Sequence, residues 1–139
     1  MDNKYIAWAD IKGTKYPLCL SIGSSAALET EFGSVPAAVS CVSECIKNDE
    51  FSKVMETTIR VFCLLAKAGR DYMMATAQMM GSTAEDVPEF PEEELLAKAL
   101  SINETIELWN TCYAAMRIGS HREVEVTKDN SPKNAENAM

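Results

Sequence analysis

The segment from Leu95 to Met116 carries the most regular pattern in the chain. Its apolar residues are separated by alternating spacings of four and three over three heptads, the periodicity of an α-helix that buries one face. This stripe consists of Leu95, Ala99, Ile102, Ile106, Trp109, Tyr113 and Met116. Pro91 and the acidic run 92–94 suit the start of a helix, and Gly119 suits its end. The pattern predicts one long helix between them.

Further helical patterns fill the middle of the chain. Residues 51–66 have an apolar face at helical spacing, and we expect this helix to continue through Gly69, or to restart close to it, as far as Gly81. Two shorter helices are predicted before it. The first ends at Gly33, and the second has Pro36 in its first turn.

The N-terminal part of the chain has the pattern of a β-hairpin. Tyr5 to Ile11 is rich in strand formers, Lys12-Gly13 suits a tight turn, and residues 14–22 form a second extended run with alternating apolar side chains. Pro17 cannot donate a ladder hydrogen bond, so it is expected at a sheet edge.

These elements predict an α+β fold that is mainly α, with an N-terminal hairpin and four to five helices. The sequence predicts a single domain at residues 1–127, with the hairpin at 4–22 and the helical body at 24–118. Polar and apolar residues alternate between His121 and Thr127, and this pattern allows a short C-terminal strand. Residues 128–139 have little to bury and are expected to form a disordered tail.

The charge balance argues against several classes of partner. The chain carries 13 basic and 21 acidic residues, a net charge of −8. This charge repels nucleic acid and anionic membranes. The chain also lacks an apolar run of about 20 residues and a signal-like N-terminus. We therefore expect a cytoplasmic protein with no nucleic-acid or membrane partner.

Enzyme-like constellations are weak in this sequence. The five cysteines are odd in number and scattered, and His121 is the only histidine. Buried structural thiols are the expected role of the cysteines, and a metal or redox site at Cys41 and Cys45 is the alternative. The glycines form no phosphate-binding loop. We predict a protein that is not an enzyme and that has no catalytic residues, metal or cofactor.

Two features suit the binding of another protein. Met73, Met74, Met79 and Met80 lie within eight residues, and thioethers adapt to apolar partners of different shapes. These methionines form either an adaptable surface or irregular core packing. The Leu95–Met116 stripe either faces the core of the chain or forms a seam with a second copy or a partner helix. The candidate partner-binding residues are Met73, Met74, Met79, Met80, Leu95, Ile102, Ile106, Trp109, Tyr113 and Met116.

A short N-terminal motif resembles a known family. Its hairpin part comprises Gly13, Tyr16, Leu18, Leu20 and Gly23, and its helical part comprises Leu28, Glu29, Phe32 and Gly33. This arrangement is similar to the opening of small tail assembly chaperones of long-tailed phages and prophages. The resemblance covers about the first 35 residues.

The resemblance implies a protein of the bacterial host cytoplasm. Such chaperones coat the helical tape-measure protein and keep it soluble until tail tube subunits polymerise around it. The implied partners are the tape-measure protein, the tail tube protein and further copies of the chain. A structural virion component, such as a tail completion or connector protein, and a small dimeric adaptor protein remain alternatives.

Overall fold

A computed structural model describes residues 5–82, 87–89 and 91–130, with side chains described as far as Ile118. Two strands and five helices follow one another in these ranges. They are β1 (Ala7–Ile11), β2 (Thr14–Leu18), α1 (Ile22–Phe32), α2 (Val35–Lys47), α3 (Phe51–Met79), α4 (Glu93–Ala99) and α5 (Ile102–Asn130). The fold is α+β and mainly α-helical, with an N-terminal hairpin before the helices, as the sequence predicts.

The strands β1 and β2 pair in antiparallel orientation around a two-residue turn. Lys12 and Gly13 form the turn with φ angles of 52° and 94°, the left-handed conformation of the hairpin turn that matches the twist of the strands. The Gly13 N–H donates to the Asp10 carboxylate over 2.9 Å. The predicted hairpin and its turn are therefore confirmed, but the second extended run, predicted to reach residue 22, ends as a strand at Leu18.

The outer edge of β2 lies directly against the middle of α3. The Cys19 N–H donates to the Leu65 carbonyl over 3.1 Å. A Cβ atom built on Gly69 would overlap the backbone carbonyl of Pro17. Glycine is therefore required inside α3 because it lets the strand backbone approach the helix. The predicted continuation of the helix through Gly69 is confirmed, since the glycine marks a close approach and not an end.

Side-chain caps fix the boundaries of the first two helices. Ser21 and Ser24 form a capping box, so α1 begins at Ile22, two residues before the predicted helical body. Gly33 ends α1 with a φ of 96°. Ser34 then caps α2, which carries Pro36 in its first turn. The predicted roles of Gly33 and Pro36 are confirmed.

The predicted single helix across the Leu95–Met116 stripe is wrong. Leu100 is extended with a ψ of 136°, and it separates α4 from α5. The Glu104 N–H donates to the Ser101 hydroxyl over 3.1 Å, and the Ser101 N–H donates to the Glu104 carboxylate over 2.9 Å. These reciprocal hydrogen bonds form a capping box that starts a new helix. The regular apolar spacing continues across this break, which conceals it in the sequence.

The predictions for the C-terminal part also need correction. The helix α5 continues past Gly119 to Asn130, so the allowed strand at 121–127 is helical instead. An existing helix extends at little cost, whereas a new strand needs a neighbouring strand for its backbone hydrogen bonds. Residues 128–130 of the predicted disordered tail belong to α5, and residues 131–139 lie outside the described residues.

The core lies where the hairpin and the other helices meet α3. Tyr16 and Phe62 pack edge to face, with ring centroids 5.8 Å apart and planes at 90°. The largest fully buried side chains include Phe62, Leu18, Leu28, Leu65, Leu96 and Met116. This arrangement makes α3 the central element, with its buried residues concentrated between Val54 and Gly69.

Candidate binding surface

An apolar groove of about 570 Å³ runs between α1 and α3. Small and apolar side chains from both helices dominate its lining. We call it the α1–α3 groove, and its lining residues are Ser21, Gly23, Ser24, Ala27, Leu64, Lys67, Ala68, Asp71, Tyr72 and Ala75. Because small residues keep both helix backbones close to the surface, the groove is shaped for an elongated apolar partner.

One apolar stripe of α3 connects this groove to the end of the helix. The stripe, called here the outer stripe, comprises Leu64, Ala68, Tyr72, Ala75 and Met79. Its spacings of four, four, three and four place its members on one helix face. Earlier in the helix the same face carries Val61 and Leu65 into the core, one heptad before Ala68 and Tyr72. This apolar face of α3 is therefore buried in the first half of the helix, half-buried at Tyr72 and exposed at Ala75 and Met79.

The methionines at the end of α3 are largely exposed. Met79 is 88% exposed, Met80 70% and Met74 44%, while Met73 is half-buried. Of the two alternatives that the sequence leaves open, these exposures agree with a surface cluster and not with irregular core packing. Met79 and Met80 extend the apolar surface beyond the α1–α3 groove, and their thioether side chains are flexible.

Ile22 borders the same groove from the start of α1. It is 92% exposed and lies in sequence between the lining residues Ser21 and Gly23. Single exposed apolar residues are common on protein surfaces. An almost fully exposed isoleucine beside an apolar groove enlarges that apolar surface, and enlarged patches mark interaction sites.

The charged side chains in the groove neutralise one another. Lys67 and Asp71 form an ion pair of 3.2 Å across one turn of α3, and both side chains are about two-thirds exposed. An exposed pair of this kind contributes little to stability. The groove consequently presents an apolar floor without a dominant charge.

The structure does not bring the residues of the Leu95–Met116 stripe onto one surface. Trp109 and Met116 are buried in the core at 6% and 2% exposure, as the core-facing interpretation expects. Ile106 is half-buried. Leu95, Ile102 and Tyr113 are exposed by 58%, 47% and 41%. The capping box at Ser101 divides the stripe, so its exposed members belong to two different helices.

The sequence pattern does not predict several of the residues at this surface. Leu64, Ala68, Tyr72 and Ala75 show helical spacing with Met79, but a stronger apolar pattern on the same helix dominates the sequence. Ile22 carries no periodic signal. Only the packing of α1 against α3 shows that Leu64, Ala68, Tyr72 and Ala75 line one groove.

The thiols are protected by burial. Cys19, Cys45, Cys63 and Cys112 are buried, and Cys41 is half-buried. Burial raises the pKa of the Cys63 thiol to about 11 and raises the pKa of Cys112 further. These thiols therefore stay protonated at neutral pH. Within the described ranges, no three His, Cys, Asp or Glu side chains group so as to hold a metal ion.

The helices of the described part of the chain include none with the length and apolar character needed to cross a membrane. Comparison with protein-family models, curated proteins and solved structures gave no match.

Proposed function

We propose that the protein is a phage tail assembly chaperone that binds the helical tape-measure protein in the host cytoplasm. The observation that carries this proposal is the outer stripe of α3, which joins the α1–α3 groove to exposed Met79. A stripe of this length and spacing is complementary to the apolar face of an amphipathic helix.

The shape of the groove suits a helix as its occupant. Gly23 and Ala27 on one wall and Ala68 and Ala75 on the other allow a partner backbone to approach closely. Met79 extends the contact with a side chain that adapts to different apolar surfaces. A chaperone of a long helical client needs both properties, since successive turns of the client differ in shape.

The net charge of −8 supports the same role. A chaperone that covers apolar client surface must keep the complex dispersed, and like charges on bound copies repel other complexes. The apolar groove provides contact with the client, and the acidic remainder of the surface provides solubility. Further copies of the chain bind along the client in this proposal.

Co-expression with the candidate client tests the proposal. The client is the longest helix-rich open reading frame near this gene, and we expect it to co-purify with this protein and to become insoluble without it. A large partner that is soluble alone and does not bind would contradict the proposal. Mass spectrometry of purified particles separates the alternatives, because a virion component is present in particles and a chaperone is not.

Ala75→Glu tests the groove itself. Ala75 is an exposed groove residue, so the substitution should leave stability within about 0.5 kcal/mol. The buried carboxylate in the complex should abolish co-purification of the client. Ala114→Glu on α5 is the matched control, because Ala114 is also an exposed helical alanine and lies outside the groove. Equal co-purification of the client with both variants would indicate that the client binds another surface of the protein.

A further inference from the structure

The hairpin leaves one strand edge with unused backbone groups. Ile11 and Thr14 flank the two-residue turn and are paired, so they exchange hydrogen bonds with each other. The antiparallel pattern alternates from there along the ladder. It therefore directs the N–H and C=O groups of Trp8 and Asp10 away from β2.

Contacts on the opposite side of the hairpin support this alternation. Pro17 is the register partner of Trp8, and its carbonyl lies against Gly69 of α3. Two residues later, the Cys19 N–H donates to α3. The outer edge of β2 is thus covered by a helix. Among the described residues, no hydrogen bond outside the hairpin uses the backbone of Trp8 or Asp10.

A cavity of about 430 Å³ lies beside this free edge. We call it the β1 edge groove. Five consecutive residues of the hairpin, Trp8 to Lys12, line one side, so the groove follows the edge of the strand and not one face. The opposite side is formed by Leu100, Glu104, Glu107, Leu108 and Thr111.

The charges around the β1 edge groove are mostly negative. Asp10, Glu104 and Glu107 line it, and Lys12 is its single lysine. The Lys12 ammonium is paired with Glu104 at 2.9 Å, which leaves the other two carboxylates without a basic partner among the ion pairs of the described residues. Trp8 is 42% exposed at the same place and offers an aromatic face to a cation.

We infer that the β1 edge binds an extended, lysine- or arginine-bearing segment of another protein as a third strand. The segment's backbone pairs with the N–H and C=O groups of Trp8 and Asp10, and its basic side chains meet Asp10 and Glu107. A second copy of the chain is a poor occupant, because pairing β1 with β1 brings both sets of carboxylates together in a chain of net charge −8.

A blocked peptide of alternating valine and lysine is the probe, followed by tryptophan fluorescence and by amide exchange in NMR spectra. We expect saturable binding that slows the exchange of the Trp8 and Asp10 amides. Two further peptides carry N-methyl groups on the valines or on the lysines. Since alternate residues of an added strand face β1, one of these peptides should lose binding and the other should retain it.

Charge variants complete the test. Glu107→Lys should weaken peptide binding by about tenfold, because it replaces attraction in the groove by repulsion. Glu44→Lys on α2 makes the same change of net charge at an exposed site outside the groove, and it should leave the affinity unchanged.

Four results would overturn the inference: equal weakening by both variants, binding by both N-methylated peptides, equal binding of a valine–glutamate peptide, or no binding of the lysine peptide. A dimer of the free protein in which the Trp8 and Asp10 amides are already protected would assign the edge to a second copy instead.

Discussion

At the scale of single residues, Gly69 has the clearest structural role. Glycine inside a helix normally lowers stability by about 1 kcal/mol relative to alanine. Here the missing side chain makes room for the Pro17 carbonyl, and the neighbouring Cys19 N–H reaches the Leu65 carbonyl. The close approach of β2 to α3 fixes the hairpin on the central helix, which outweighs the helix propensity lost.

Gly69→Ala should therefore destabilise the protein, although alanine favours helices. The added Cβ overlaps backbone atoms that cannot rotate away, so we expect a loss of about 3 kcal/mol in the free energy of unfolding, measured in urea. Gly23→Ala in α1 is the control, because only Ser21 Oγ lies near its Cβ position, at 3.7 Å. It should be neutral or stabilising. Equal stability of the Gly69 variant would contradict the close packing of β2 on α3.

The thiols give a second prediction at this scale. Maleimide labelling of the native protein, counted by mass spectrometry, should modify Cys41 first and leave Cys63 and Cys112 unmodified until the chain unfolds. Burial keeps these two thiols from the reagent and raises the pKa of each, so little thiolate forms. Rapid native labelling at Cys112 would show that the core between α3 and α5 opens readily.

At the scale of elements, α4 is the shortest of the helices in the described ranges, and its attachment to the fold depends on a small number of side chains. Leu96 is its buried residue, at 2% exposure, and Glu93 forms an ion pair with Arg60 of α3 at 2.8 Å. Arg60 also pairs with Glu31 of α1, so one guanidinium links three helices. These exposed ion pairs orient α4, while the leucine supplies most of the stabilisation.

Leu96→Ala should destabilise the protein by about 3 kcal/mol, because it leaves a cavity between α4 and α3. Leu95→Ala is the matched control. Leu95 belongs to the stripe recognised in the sequence, yet it is 58% exposed, so its loss should change stability by less than about 0.5 kcal/mol. Chemical denaturation measures both variants. A larger effect at Leu95 than at Leu96 would contradict this assignment of the exposed and the buried leucine.

At the scale of the whole molecule, one ion pair links the N-terminal hairpin to the start of α5. Lys12 in the hairpin turn and Glu104 in α5 are 92 residues apart in sequence, and their charged atoms lie 2.9 Å apart. The pKa of Glu104 lies below its ordinary value. The main cause is the Ser101 backbone N–H, and the second is the Lys12 ammonium.

This lowered pKa predicts a pH-dependent contribution to stability. The Glu104 carboxylate stabilises the fold at neutral pH, and this contribution is lost as the pH falls through the folded-state pKa. Glu104→Gln keeps a cap but removes the charge, so its melting temperature should be below wild type at pH 7. The difference should shrink in acid. Circular dichroism at several pH values measures it, with Glu107→Gln as control. A difference independent of pH would contradict this account.

Local signals in the sequence determined most element types. The turn at Lys12-Gly13, the end of α1 at Gly33 and the proline in the first turn of α2 depend on backbone preferences of single residues, which act wherever the chain folds. The Ser101–Glu104 capping box was equally local, but the apolar spacing across it favoured one helix.

Only the tertiary structure decided which apolar residues are covered. The same helical spacing places Trp109 in the core and leaves Leu95 exposed, and one face of α3 is buried at Leu65 and exposed at Met79. Spacing defines the faces of a helix, but burial depends on which other elements pack against each face. The α1–α3 groove exists because α1 packs against α3, and the β1 edge groove exists because the hairpin packs against α3 and α5. Residues distant in sequence make those contacts, so the periodicity of any one segment cannot predict them.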